Sequence, residues 1–290
     1  MSLRDLGVVL LIMVIWGLNY PVAKIGVTHV PPMMMIAIRF ALVAVLVLPF
    51  VPAPWGHMRR IFYLSVMIGT LHFAPNFTGL KLVDSGVGAI LNQLSVPFSA
   101  LLAAIFFHDR LGWRRLLGMT LAFAGVAVLV GEPKRSTDLW GAFLMMAASL
   151  AWAISTIQTK FLKEVHPLSL VGWMTLMATP QILVLSLLIE ERPVEAALTM
   201  GWNAWCPILY MAIFVSIVSH SLWYRLVHRY PINVTAPFAL LTPVFGVLFG
   251  VLILHEPLTW WMLAGSLITL AGVTIITIRR PAQGEPPPVR

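Results

Sequence analysis

Long apolar runs, broken by short clusters of proline, glycine and charge, recur along the whole chain. They predict ten membrane-crossing helices at roughly residues 6–27, 33–51, 61–80, 84–107, 113–130, 138–162, 168–189, 204–227, 233–254 and 260–278. A helix needs about 20 apolar residues to cross a hydrocarbon core of about 30 Å, and runs of this length meet that demand. The breaks, among them VPAPWGHMRR, HDRLGWRR, GEPKRSTD and IEERPVEA, are short. Tight loops therefore join the helices and no separate soluble domain is expected. The first run, from Leu6, continues into WGLNYPVAK without a small-residue cleavage site, so it reads as a retained helix and not as a signal core. The tail over 280–290 is rich in proline and poor in apolar residues, which predicts disorder.

The pattern also repeats. Trp16 and Lys24 recur as Trp152 and Lys160, 136 positions on, and Pro31 recurs as Pro167. HDRLGWRRLLGMTLAFAGV from His108 aligns without gaps to HEPLTWWMLAGSLITLAGV from His255, at an offset of 147. The chain thus divides into two five-helix repeats, 5–130 and 138–279. Five is odd, so the second repeat enters the membrane from the opposite side. The expected fold is an all-α membrane protein with an inverted-topology repeat, an arrangement found in alternating-access transporters whose site lies near the midplane between the repeats.

Composition narrows the class. Hydrophobic residues make up 59% and charged residues 10% of the 290 positions, far from the roughly 25% charge of soluble domains. The mean hydropathy is +0.90. The net charge of +8 comes from basic residues scattered at helix ends, with no basic block interleaved with aromatics. Lipid headgroups, not nucleic acid, are the expected partner of that charge. Counting Lys and Arg at alternate helix ends gives 13 on one side and 5 on the other, which places both termini in the cytoplasm of an inner-membrane, multi-pass protein. Cys206 is the lone cysteine, so no internal disulfide, cysteine metal cluster, metal or cofactor is expected. The oligomeric state is not legible.

Candidate functional residues are polar groups inside the predicted spans, where unpaired polarity is costly. Arg39 lies inside the second span with Thr175 at the repeat position; it either meets a substrate carboxylate or a gate, or snorkels outward. Lys24 and Lys160 serve either as matching gates or as headgroup anchors. Trp16 and Trp152 fall mid-helix and form either a cavity wall or a repeat contact, and Asn19 and Tyr20 belong to the same motif as Trp16. His72 and Asn76 share one face of the third span. Asn92 and Gln93 lie in a small, polar stretch of the fourth, and Ser216, His220 and Tyr224 mark the eighth. Aromatic and polar groups together suit a small zwitterion. Pro97 and Pro243 interrupt the fourth and ninth spans, as hinges or as static kinks. Asp109 and Glu256 end those spans, where each is expected to cap the helix that follows.

No Asp or Glu occupies the middle of a predicted span, which leaves a carboxylate proton relay unsupported; His72 and His220 either titrate or are hydrogen-bonded cavity groups. No HExxH, GxSxG or paired acids within one span occur, so no catalytic residue is assigned and a membrane-embedded enzyme is the weaker alternative.

Particular stretches carry a family resemblance. WGLNYPVAK with the following PPMMMIAIRFALVA, the paired segments Pro97 to Asp109 and Pro243 to Glu256, and the repeated LAGV or FAGV endings resemble the EamA family of the drug/metabolite transporter superfamily, from residue 5 to about 280. WGLN and SLWYRLVHRY look closest to bacterial exporters of amino-acid metabolites of the cysteine and O-acetylserine type. The resemblance implies ten helices around a central cavity and efflux of a small molecule, an amino acid or related metabolite. Relatives that carry drugs, purines or other small metabolites keep those alternatives open.

Overall fold

A computed structural model describes residues 1–107, 112–132, 138–230 and 232–277, and the described residues contain helices and no strand. Asp109, the Lys134 loop and the tail over 280–290 lie outside them. The first half contains α1 (Leu3–His29), α2 (Pro32–Val47), α3 (Met58–Leu64), a π-helical segment (Ser65–His72), α4 (Phe73–Leu82), α5 (Ser85–Leu91), a 3-10 turn (Asn92–Leu94), α6 (Ser95–Phe107) and α7 (Trp113–Val130). The second half contains α8 (Leu139–Thr159), α9 (Pro167–Ile189), α10 (Pro193–Thr199), α11 (Trp202–Tyr210), a second π-helical segment (Met211–Ser219), α12 (His220–Arg229), α13 (Ile232–Thr235), a 3-10 segment (Ala236–Leu240), α14 (Leu241–Leu254) and α15 (Trp260–Thr277).

Among the described residues, nine helices are long and apolar enough to cross a membrane. The expected third span, 61–80, is not among the nine. It is helical throughout, but Ser65, Thr70, His72, Asn76 and Thr78 make it less apolar than its neighbours. The spans are also less regular than expected. The third and eighth carry π-helical segments, and the fourth and ninth are interrupted by 3-10 geometry. α10 falls in the expected loop IEERPVEA, started by Pro193 at its first turn. Proline at the first turn likewise starts α2 and α9.

The outer surface is apolar where that of a soluble protein is polar. Val45, Phe50, Leu188 and Leu267 are exposed, as a helix facing hydrocarbon requires, because lipid solvates these chains as well as a core does. Helix contact then depends on close approach. α7 and α15 pack through glycines: a Cβ on Gly118 would lie 2.7 Å from the Gly272 carbonyl oxygen, and one on Gly265 would lie 2.7 Å from that of Gly125. α2 packs along α9, α1 along α14 and α11, and α4 along α8. These contacts set α1, α2, α4, α8 and the two π-helical segments around a common interior.

Candidate functional site

That interior holds two adjoining cavities. A polar chamber of about 310 Å³ is lined by Trp16, Asn19, Tyr20, Arg39, His72, Phe73, Asn76, Asn92, Gln93, Trp152, His220 and Thr242, with apolar neighbours including Phe77 and Leu80. A larger chamber of about 550 Å³ is mostly apolar, lined by Phe40, Leu64, Ile68, Thr159, Pro167, Met174, Thr175, Ser216 and Trp223 among others. Trp16, Arg39, Phe73, Trp152 and His220 line both. Residues scattered over eight predicted spans thus meet in one place.

Arg39 is the charged centre. It is 3% exposed, so it points inward and does not snorkel. One terminal nitrogen donates to Ser216 Oγ at 3.0 Å, the other lies 3.7 Å from Met211 Sδ, and the guanidinium carbon sits 5.3 Å from the centre of the Phe73 ring. Its Nε has no partner, and among the described residues no carboxylate forms an ion pair with it. A buried guanidinium without an anion is costly, and a two-pronged donor set matches a carboxylate.

The two tryptophans each meet a histidine. Trp16 lies 5.7 Å from the His220 ring and donates through Nε1 to Ser219 Oγ at 2.7 Å. Trp152 lies 4.9 Å from the His72 ring. His72 Nδ1 is 2.8 Å from the Ala148 carbonyl oxygen, and His220 Nδ1 is 2.6 Å from that of Val215. A carbonyl only accepts, so each Nδ1 carries the hydrogen, and in the neutral tautomer Nε2 is an acceptor. The π turns help to aim these groups. A wider turn shifts side chains relative to α-helical spacing, and both His220 and Ser216 reach a carbonyl five residues back.

The amides supply neutral polarity. The side-chain oxygens of Asn19 and Asn76 are buried without a partner, and the Tyr20 hydroxyl interacts with the Asn92 side chain. Asn92 and Gln93 sit on the 3-10 turn that divides the fourth span. Phe73 and Thr242 were not among the residues expected from sequence. Phe73, Asn76, Phe77 and Leu80 do form a helical stripe, which was the available signal.

Other expected residues lie elsewhere. Lys24 lines neither chamber; its Nζ donates to the carbonyls of Leu80, Lys81 and Val83 at 2.8, 2.8 and 2.6 Å, capping the end of α4. Pro97 and Pro243 are buried in α6 and α14. Lys160 is on the 3-10 turn after α8 and Tyr224 on α12, but their side chains lie outside what is described. Glu256 caps α5 through Ser85 and Gly86, at 2.6 and 3.0 Å, and not the helix that follows it. Among the described residues no three His, Cys, Asp or Glu side chains gather as a metal site.

Comparison with known proteins agrees with this architecture. The pattern of the EamA-like transporter family matches residues 5–131 and 139–278. The chain is 32% identical over 284 residues, 95% of each chain, to a probable amino-acid metabolite efflux pump of Salmonella typhimurium. It is 30% identical over the same share to a probable amino-acid metabolite efflux pump of Escherichia coli. An uncharacterized transporter of Archaeoglobus fulgidus is 28% identical over 91% of this chain and 95% of its own. A solved crystal structure, 15% identical, matches 95% of this chain and 96% of its own with a TM-score of 0.62, which is a likeness of fold.

Proposed function

Because this multi-pass membrane protein belongs to the EamA-like transporter family, we propose that it exports a small amino acid or amino-acid metabolite of the cysteine or O-acetylserine type. Arg39 holds the substrate carboxylate at the junction of the two chambers. The ammonium group faces the Asn19 and Asn76 oxygens, the histidine Nε2 atoms and the faces of Trp16 and Trp152. The single observation that carries this reading is the buried guanidinium of Arg39 inside a cavity, its Nε unpartnered and no carboxylate among the described residues paired with it. A lipophilic cation would meet repulsion at that point.

Transport follows alternating access between two inverted five-helix repeats, 5–130 and 138–279, with ten spans and both termini in the cytoplasm of the inner membrane. Several contacts support the duplication. Repeat mates α2 and α9 pack together, as do α7 and α15. The Trp16–His220 pair has a counterpart in Trp152–His72, and π-helical segments occur at Ser65–His72 and Met211–Ser219. The apolar chamber reaches Leu64, Thr159 and Pro167, at the end of the molecule where basic residues accumulate. That arrangement suits loading from the cytoplasm.

Thermal stabilisation of the purified protein tests the substrate class. At a hundredfold excess over Kd a ligand stabilises by about 2.7 kcal/mol. Cysteine or O-acetylserine should raise the melting temperature where nucleobases and cationic drugs do not, and overproducing cells should release the stabilising compound. Stabilisation by a lipophilic cation alone would favour drug export.

A further inference from the structure

At the end of the bundle away from Leu64 and Pro167, two carboxylates hold helices of the two halves together. Glu190, just past α9, accepts from the backbone N–H of Met33 at 2.8 Å and of Met34 at 3.0 Å, the first turn of α2, and Ser186 Oγ donates to it at 2.6 Å. Glu256, just past α14, accepts from Ser85 at 2.6 Å and Gly86 at 3.0 Å, the first turn of α5. Neither α2 nor α5 has a side-chain cap from its own preceding residue. Each therefore takes its N-terminal anion from a helix of the other repeat, where the carboxylate meets both orphan donors and the positive end of the helix dipole.

The backbone around Glu256 is built for this contact. His255 adopts the left-handed region, φ 54°, which turns the chain at the end of α14. Gly250 leaves the necessary room: a Cβ there would lie 2.5 Å from Glu256 Oε2 and 2.7 Å from Ser85 Oγ. Lys24, capping the adjacent end of α4, lies within electrostatic reach of Asp84 and, less strongly, of Glu256. The connections after α1, α4, α9 and α14 thus meet at one end.

We propose that Glu190 and Glu256 are the paired latches of the gate at this end. The inference rests on the alternating-access reading: opening the cavity here must part α2 from α9 and α5 from α14, stripping each carboxylate from two backbone donors. The latches set how often this end opens. They do not touch the cavity, so they should act on turnover and leave substrate affinity alone.

Accessibility tests this without knowing the substrate. Ala239 also lines the polar chamber, so Ala239→Cys in a Cys206→Ser background places a thiol there, and a membrane-impermeant maleimide is added from either face of oriented vesicles. With both latches intact, labelling from the latch face should be slow. Glu190→Ala or Glu256→Ala should speed it about tenfold each, the worth of a charge-assisted hydrogen bond. The isosteric double variant Glu190→Gln/Glu256→Gln should do the same, and it keeps the test readable if alanine impairs insertion. Gly125→Ala, which loosens α7 from α15, should lower the melting temperature without speeding labelling. Unchanged labelling in correctly inserted latch variants, or equal acceleration by Gly125→Ala, overturns the latches and leaves them as helix caps. Intact export with latch-face labelling that never responds to O-acetylserine at any concentration would instead overturn alternating access.

Discussion

Arg39 concentrates the chemistry of the cavity. Its guanidinium is held from three directions, by Ser216, by Met211 and by the face of Phe73, while Nε stays unpartnered. Arg39→Gln should weaken O-acetylserine binding by tenfold or more, about the worth of a charge-assisted hydrogen bond, as read by ligand-induced thermal stabilisation. Arg39→Lys keeps the charge but loses the planar fork, so it should give an intermediate loss. Unchanged affinity with altered turnover would move Arg39 from binding to gating. Trp16 offers a milder test. Trp16→Phe removes the donor to Ser219 Oγ while keeping an aromatic wall. It should cost about 1 kcal/mol of stability, read by thermal denaturation in detergent.

Elements matter here through how closely they approach and where they stop being α-helical. α7 and α15 meet backbone to backbone at Gly118 with Gly272 and Gly125 with Gly265. Gly265→Ala should destabilise by about 1–3 kcal/mol through overpacking. Gly7→Ala, where an added Cβ has nothing within 4 Å, should be neutral or slightly stabilising in the same thermal assay. The π-helical segments work differently, widening the third and eighth spans so that a histidine at the end of one and just after the other points into the cavity. The 3-10 turn at Asn92–Leu94 likewise presents Asn92 and Gln93 to the polar chamber.

Across the whole molecule, the family pattern occurs twice, over residues 5–131 and 139–278. Reporter fusions at Arg290 and in the Lys134 loop should give opposite readouts, the carboxyl terminus cytoplasmic, because 13 basic residues against 5 favour that orientation. A periplasmic carboxyl terminus would sink the topology, and with it the direction of export assigned to the cavity.

Hydropathy and family motifs made the membrane helices and the family of this protein legible from the chain alone. Apolar runs announce membrane helices because only a helix satisfies its own backbone in lipid, and the WGLNYPVAK and FAGV motifs carry the family. Polar residues inside those runs marked the cavity wall for the same reason of cost: Arg39, His72, Asn76, Asn92, Gln93, Trp16 and Trp152 all line it. What the chain does not encode locally is which backbone turn is widened and which partner a charge finds. Periodicity assumes 3.6 residues per turn, so it passed over the π-helical segments. Lys24 and Glu256 stand at helix ends where lipid, water and neighbouring helices compete for them. Only the packing of α1 beside α4 and of α14 beside α5 decided that both would cap helices distant in sequence.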